Sequence, residues 1–484
     1  MTHVAIIGGG ASAVSVLAHL TLGATDRVTT LSHQPFGPGR AYGELEESAL
    51  LNRPTYKMSV SNHDPVSFVT WLDEKHPREN REYVPRRVYG DYLADYARAI
   101  KLDAAFEYSQ ISCDVVDVVP AGSGYKVCFE DNNGGRSSLD ADKVVLALGA
   151  IVPGDPYGLN GSEGYFADVY PISKWLDYSA GAGEVAILGS GLSGVDAALA
   201  ATGASSTTHV TLYSRRGVAP DVRSPIFNIR PDSSLVAYIQ EHSDSGFKIV
   251  HLQQLMKSLC AKHDIDLKRL ADAIELLRRE PESRFADMND APHSVDAAVQ
   301  GCILDLAQNY ITPAWALMDK ECRKEFLDSY HTVFQSFANP LPPETGRAIG
   351  RLCRTGRLSF RAGLESVTRT DGHWKLTCNG GSQVADIVVN STKTTTGQLA
   401  PEANTLIQNM IRRGMVAENS SGGFEINPET NRVISSDGGE LLGMFAIGEC
   451  TVESLYYISA MTKIRNRAQA IARSICSPNE VYCG

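Results

Sequence analysis

None of the ten cysteines in this 484-residue chain forms a C-x-x-C pair; they stand at 113, 128, 260, 302, 322, 353, 378, 450, 476 and 483. That spread excludes a dithiol redox motif and fits reduced thiols serving as small apolar side chains. The histidines offer no metal-ligand spacing: His242, His251 and His263 are too irregular for a set, so no metal is expected. No G-x-S-x-G elbow follows a strand-like run, which excludes a hydrolase of that type. Long hydrophobic runs are missing too. No stretch of about 18 apolar residues occurs, so no membrane span is expected. The start, Met1 to Gly8, has no positive segment before its short apolar run, so the expected location is the cytoplasm. Positive charge is in deficit, 45 Lys plus Arg against 56 Asp plus Glu for a net −11. The deficit argues against nucleic acid or an anionic membrane as partner. With 43% hydrophobic and 21% charged residues the composition is that of a globular protein of about two or three domains.

What the chain does have is glycine at the ends of apolar strands. Val4 to Ile7 is a short apolar run of the kind that forms a buried parallel strand. Gly8-Gly9-Gly10-Ala11-Ser12-Ala13 follows at once, and apolar residues to Leu20 then fall at helical spacing, with Gly23 as the expected cap. A second copy begins with Val185 to Leu188, continues through Gly189-Ser190-Gly191-Leu192-Ser193-Gly194, and is expected to end its helix at Gly203. In such a turn the first glycine makes the bend, the second lets the backbone approach a pyrophosphate, and the third position packs helix on strand. Gly8, Gly10, Ser12 and Ala13 are therefore candidates for one dinucleotide, and Gly189, Gly191, Ser193 and Gly194 for another. The helix N-terminus supplies N–H groups for the phosphates.

The two copies differ after their second strands. An acidic residue usually meets the adenosine ribose there. The first copy has Leu31-Ser32-His33 instead, leaving Ser32 or His33 as a weaker partner. The second has Tyr213-Ser214-Arg215-Arg216. A serine and two arginines suit a 2′-phosphate, because guanidinium forks bind phosphate oxygens in pairs. Ser214, Arg215 and Arg216 thus point to NADPH, against the alternative of a solvated basic turn.

The remaining chain divides by pattern. Strands are expected near 112–119, 124–129 and 143–148, and again at 374–378, 387–390 and 444–447, with a last helix over 459–475. Charged helical segments, such as 265–279 and 295–306, fill 222–350. The fold class expected is α/β, with two Rossmann-like dinucleotide-binding domains and an α-helical insertion.

Further segments carry a resemblance. Phe36-Gly37-Pro38-Gly39-Arg40-Ala41-Tyr42-Gly43 is followed by Leu50-Leu51-Asn52-Arg53-Pro54, Lys57-Met58-Ser59, Asp64-Pro65-Val66-Ser67-Phe68 and Tyr83 to Leu93. Together these resemble the FAD/NAD(P)-binding flavoproteins related to class B flavin monooxygenases, among them the amine N-hydroxylases. The resemblance covers most of 1–225 and 355–475. It implies a discontinuous FAD domain (1–160 plus 355–484), an NADPH domain core (161–225) and a mainly helical insertion (226–354) serving as lid or interface. It implies domain crossings near Leu146 to Gly149 and at Asn390-Ser391-Thr392. Phe445 to Glu449 is similar to the family's terminal G-D motif, with Glu449 in place of Asp. On this resemblance Ser32, Arg40, Asn52, Met58, Gly149, Gly448 and Glu449 join the first turn as FAD residues. The implied activity is an FAD- and NADPH-dependent monooxygenase working with O₂ through a flavin C4a-(hydro)peroxide, and N-hydroxylating an amino acid or small amine. The partners implied are a small-molecule substrate and O₂, with a homo-oligomer as an open expectation.

Lys57, Asn52 and Ser59 are the candidates for catalysis, with Thr392-Lys393-Thr394 as further polar groups. Each has a plainer alternative: a solvated lysine, a turn-capping asparagine, a structural hydroxyl. Tyr456 and Tyr457 line a pocket or pack in a core. Arg40, Arg86 and Arg87 can hold a substrate carboxylate or serve FAD phosphates. Two other activities remain in view, an NADPH-dependent reductase and a flavin-binding sensor, with Cys450 as a single thiol beside Glu449.

Overall fold

The computed structural model describes residues 1–43, 47–77, 82–149, 154–225, 229–288, 292–392, 401–417 and 423–476. The chain divides into two compact units: Met1–Glu44, Arg53–Val152 and Thr394–Gly484 form the first, Leu45–Asn52 and Pro153–Lys393 the second.

The first unit is built on β1 (His3–Ile7), β2 (Arg27–Leu31), β3 (Glu107–Ile111), β7 (Lys143–Leu146), β16 (Arg432–Ile434) and β17 (Glu440–Ala446). Their order is β16-β17-β7-β1-β2-β3, parallel except for β16 against β17. Ile7 pairs with Leu31 on one side and Leu146 on the other. Both faces of β1 are covered, which is why it reads as an unbroken apolar run rather than an alternating one. On one face, helix α1 (Ala11–Leu17) packs against α3 (Arg86–Asp103) and α16 (Met461–Cys476). On the other, Ala5, Ile7 and Leu146 share a core with Val115, Val127 and Phe129 of an antiparallel sheet, β4 (Cys113–Ala121), β5 (Gly124–Asp131) and β6 (Arg136–Ala141).

The second unit repeats the plan. Strands β8 (Tyr165–Phe166), β9 (Glu184–Leu188), β10 (His209–Ser214), β11 (Leu358–Ala362) and β15 (Ile387–Asn390) form a parallel sheet ordered β11-β10-β9-β15-β8. Helix α5 (Leu192–Ala204) follows β9 and is buried along most of its length. An antiparallel trio, β12 (Leu364–Thr370), β13 (His373–Cys378) and β14 (Gly381–Ala385), packs Trp374 and Leu376 with Leu188 and Val388.

Several sequence expectations are corrected here. The chain does not rejoin the first unit at 355: β11 extends the second sheet, and the boundary falls at Lys393/Thr394. The helical stretch 226–354 is not a separate body. Phe285 of α9 (Pro281–Ala286) and Ile349 of α14 (Pro343–Arg354) lie in one core with Ile187, Val195 and Leu212. Helix α1 stops at Leu17, six residues before Gly23, whose N–H instead bonds to the Asp26 carboxylate at 3.0 Å. Gly203 lies inside the last turn of α5 rather than ending it. The helix expected over 295–306 runs as α10 (Ala297–Asp305) and then opens into a π turn over Leu306–Tyr310.

Candidate functional site

The two glycine turns sit at equivalent places, where the chain leaves a central strand paired on one side with the next strand in sequence and on the other with a strand from much later in the chain. Such switch points open a crevice at the carboxyl ends of the strands. The hydrogen-bond frames nearly superimpose in kind. Gly8 N–H donates to Leu31 O at 2.8 Å and Gly189 N–H to Tyr213 O at 2.7 Å. Ala147 N–H donates to Ile7 O, and Ser391 N–H to Leu188 O, both at 2.8 Å. Val14 N–H reaches Gly10 O at 3.1 Å and Val195 N–H reaches Gly191 O at 3.0 Å, starting each helix.

The glycines within each turn have different reasons to be glycine. Gly8 and Gly189 sit at φ +117° and +110°, a region L side chains rarely adopt. A Cβ on Gly8 would overlap the Ala147 carbonyl, and one on Gly189 would stand 2.8 Å from Ser391 O. A Cβ on Gly194 would overlap the Gly189 carbonyl, so α5 lies too close to its strand for any side chain. The middle residues differ. Gly10 and Gly191 have ordinary φ of −94° and −80°. A Cβ on Gly10 would meet nothing closer than Gly39 Cα at 3.8 Å, and one on Gly191 nothing within 4 Å. Neither backbone conformation nor protein packing demands glycine at these two positions. The space beside them is open, and neither residue offers a side chain to cap the N–H groups of the following turn.

Two of the expected FAD segments lie against the first turn. The loop of Gly37 to Gly43 lies against it: Gly37 N–H donates to Gly9 O at 2.8 Å, and a Cβ on Gly39 would stand 2.6 Å from Gly10 Cα. Arg40 is half-buried on that loop. Gly448, at φ +90°, faces Ser12, whose Oγ would lie 2.8 Å from a Cβ there. Glu449 opens the 3₁₀ turn Glu449–Thr451 and is half-buried. Burial raises the Tyr42 phenol pKa, and Arg86, Glu449 and Arg53 bear on it electrostatically, which places these groups together. Gly149, at φ +80°, is exposed at the end of the β7 segment. Ser32 Oγ is turned back onto Gln34 O at 2.9 Å, and His33 pairs with Asp114 at 3.1 Å. The Ser32 hydroxyl proton is therefore engaged within its own loop.

The candidates for catalysis separate. Asn52 belongs to the second unit, and its carbonyl accepts from Arg223 Nη2 at 2.8 Å. Lys57, Met58 and Ser59 belong to the first, where Lys57 is half-buried and Met58 buried. Ser59 is fully buried; its hydroxyl donates to Pro65 O at 2.7 Å and accepts from Phe68 N–H at 3.4 Å. That geometry ties down the start of helix α2 (Ser67–Lys75) and makes Ser59 a structural hydroxyl rather than a group that meets a substrate. Thr392 Oγ1 donates to the Asn390 side chain at 2.7 Å, while Lys393 and Thr394 lie outside the described residues. Cys450 is buried; burial pushes its thiol up to about 12, so it is a protonated packing group.

In the second unit the arginine pair divides. Arg216 donates to Thr332 Oγ1 at 2.7 Å and to Asp328 O at 2.6 Å, fastening the end of β10 to helices α12 (Lys320–Ser329) and α13 (His331–Ala338). Ser214 Oγ accepts from Gly217 N–H at 3.0 Å. Arg215 is exposed and faces Tyr157. Ser193 is half-buried in the first turn of α5. Among the described residues no group of three or more His, Cys, Asp or Glu is placed to hold a metal ion, and no helix is long and apolar enough to cross a membrane.

Residues 5–151 match the family model for FAD-NAD(P)-binding domains. The Escherichia coli (strain K12) uncharacterized protein YdhS is 25% identical over 289 residues; the match covers 50% of this chain and about half, 52%, of that protein. The ornithine N-hydroxylase KtzI of Kutzneria sp. 744, solved with reduced FAD, NADP+ and L-ornithine, shares the fold over 98% of this chain and 99% of its own. Its TM-score is 0.58 at 15% identity. The cadaverine monooxygenase DfoA of Erwinia amylovora, solved with FAD, does so over 98% and 94%, with a TM-score of 0.54 at 12% identity. The fold class read from the sequence, α/β with two dinucleotide-binding units, is the one these proteins share.

Proposed function

We propose that this protein is an FAD- and NADPH-dependent monooxygenase that N-hydroxylates an amino acid or another small amine with O₂. The observation that carries the reading is the pair of middle glycines, Gly10 and Gly191, which neither φ nor packing requires and which suit a ligand brought against the backbone. Two such turns in one chain call for two dinucleotides. The family match over residues 5–151 supports reading the first turn as an FAD or NAD(P) turn, and Arg215 beyond the second suits the 2′-phosphate of NADPH. The fold shared with N-hydroxylating enzymes supports the reaction class.

FAD, when bound, supplies the redox chemistry: it accepts hydride from NADPH and activates O₂. The chain's own part is to bind, orient and exclude water. The Gly10 and Gly191 backbones admit phosphates at the helix starts. Gly448 lies against Ser12, and Glu449 follows it at the same end of the sheet, where a carboxylate can accept from ribityl hydroxyls. Lys57 and Met58 are proposed to border the reacting centre. Ser59 is left out, because its hydroxyl is occupied.

The experiment is stopped-flow reoxidation. Protein reduced with NADPH under anaerobic conditions is mixed with O₂, with and without L-ornithine. A transient near-ultraviolet band, blue-shifted from oxidised flavin and lasting seconds, is expected. Direct return to oxidised flavin in both conditions would favour an NADPH-dependent reductase, and a preparation without flavin would remove both readings.

A further inference from the structure

The split of the arginine pair bears on charge. A phosphate monoester carries roughly two negative charges near neutral pH and three outer oxygens, and Arg216 is already engaged with Thr332 and Asp328. The second unit brings another guanidinium to the end of β10, from a strand far along the chain. Strand β11 runs parallel beside β10, with Tyr213 opposite Arg361 and Ser214 opposite Ala362. Neighbouring strands lie about 4.8 Å apart, and residues in register point to the same face. Packing identifies the face. Leu212 and Phe360 belong to the core shared with α5, whereas Tyr213 belongs to the core shared with Trp374 and Leu376 of the antiparallel trio. Tyr213 Oη donates to Gln383 Oε1 of β14 at 2.7 Å. Arg361 therefore stands on the trio's side of the sheet, exposed on its outermost strand.

Arg215 comes to the same side. Burial raises the Tyr157 phenol pKa, and Arg215 and Cys378 both bear on it electrostatically. Burial also raises the Cys378 thiol pKa, with Arg361 and Glu365 bearing on it. Tyr157 and Cys378 pack at the edge of the core that holds Tyr213. The turn after β10 folds closely over the end of β11, since a Cβ on Gly217 would stand 2.7 Å from Ala362 Cβ. Among the described residues, neither the Arg215 nor the Arg361 side chain makes a hydrogen bond or an ion pair. Two such cations at one end of a sheet raise the local potential and favour an anion between them.

We propose that Arg361 is the second cation of a phosphate site, acting with Arg215 across the ends of β10 and β11 to select the 2′-phosphate of NADPH over the free 2′-hydroxyl of NADH. Two guanidinium forks can divide the three outer oxygens between them. The inference rests on reading the second glycine turn as the NADPH turn, but it concerns binding alone and its test needs no turnover.

Isothermal titration calorimetry of the flavin-loaded full chain, at constant ionic strength, makes the test. The probes are adenosine 2′,5′-bisphosphate, 5′-AMP and inorganic phosphate. The bisphosphate is expected to bind the wild type at least about 10-fold more tightly than 5′-AMP. Arg361→Gln should weaken the bisphosphate by about 10-fold and leave 5′-AMP within about 2-fold. Arg215→Gln should act alike, and the double variant should bind the two nucleotides equally. Arg361→Lys should retain part of the preference, because a point charge replaces the fork, and thermal unfolding of each variant guards against a loss of fold. A preference that survives Arg361→Gln but falls with Arg215→Gln would overturn the role of Arg361 and leave the NADPH reading in place. No preference in the wild type would overturn both, while the reoxidation transient still reports on the oxygen chemistry. Equal weakening of 5′-AMP by Arg361→Gln, or Arg361-dependent binding of inorganic phosphate as tight as that of the bisphosphate, would also overturn the proposal and mark an unselective basic patch.

Discussion

The first and second glycine turns share one hydrogen-bond frame yet differ in what surrounds it. In the first unit the third motif position holds a methyl, Ala13, and the loop of Gly37 to Gly43 closes over the turn. In the second, α5 approaches so closely that Gly194 touches the Gly189 carbonyl, and the space over Gly191 is open. The motif therefore mixes two kinds of constraint. Outer glycines answer to the fold and would be needed in an empty protein; the fold makes no such demand on the middle glycines, which we propose answer to a ligand. The flanks differ as well. The first copy turns Ser32 back on its own loop, whereas the second ends in a basic pair of which one member, Arg216, is already engaged by neighbouring helices.

The sharpest way to break this comparison is to add one methyl at each position. Gly8→Ala and Gly194→Ala should destabilise their units by roughly 2–5 kcal/mol, from backbone overlap and, at 8, an unfavourable φ. Gly10→Ala and Gly191→Ala should leave unfolding within about 1 kcal/mol of wild type, while losing FAD content or NADPH affinity respectively. Thermal unfolding read beside flavin content separates the classes; equal destabilisation at all four positions would end the distinction.

The arginine pair gives the next effect. Arg215→Ala should raise the KM for NADPH by roughly 10- to 150-fold, the loss of a charged hydrogen bond, and leave NADH nearly untouched. Arg216→Ala should change the KM for NADPH a fewfold or less, because its guanidinium serves Thr332 and Asp328. Steady-state kinetics with both nucleotides decides it, and equal effects of the two variants would restore the pair as a joint phosphate clamp.

The smallest effect contrasts the cations of the two units: exposed Arg215 in the second, half-buried Lys463 in the first. The folded Lys463 amine releases its proton near 7, while the unfolded one holds it to about 10.5. Between those values the unfolded chain binds more protons, so stability should rise with pH across that window. Lys463→Met should flatten that rise, and Arg215→Ala should not. Denaturant unfolding at stepped pH measures the slope, and identical slopes for wild type and Lys463→Met would refute the burial effect.

Much of this was legible in the chain. Apolar runs followed by glycine placed β1, β9 and both turns, because a buried parallel strand and a tight bend each restrict residue type locally. The strands near Leu146 and Asn390 were legible for the same reason, as apolar runs ending in small or polar residues, while the domain crossings there were implied by the family resemblance alone. Less visible was the allegiance of 355–392. Strand β11 has no local mark saying which sheet it joins, and only its pairing of Leu358 with Val210 settles that. The helical stretch read as a separate part because its surface is charged, while the residues that bind it to the second sheet, Phe285 and Ile349, are isolated apolar positions in sequence.

The candidate site divides along the same line. Local sequence determined the positions whose demands are local: the bends at Gly8 and Gly189, the middle glycines Gly10 and Gly191, the basic end of β10. Tertiary structure alone decided which polar groups are engaged and which are poised. Ser59 beside Met58 looks like an active-site hydroxyl until Pro65 and Phe68 are seen to hold it. Arg53 and Lys463, 410 positions apart, mean nothing as neighbours until Tyr457 brings them to one ring. Charge, burial and hydrogen-bond satisfaction are properties of the space around a side chain, and that space is filled by residues from elsewhere in the chain.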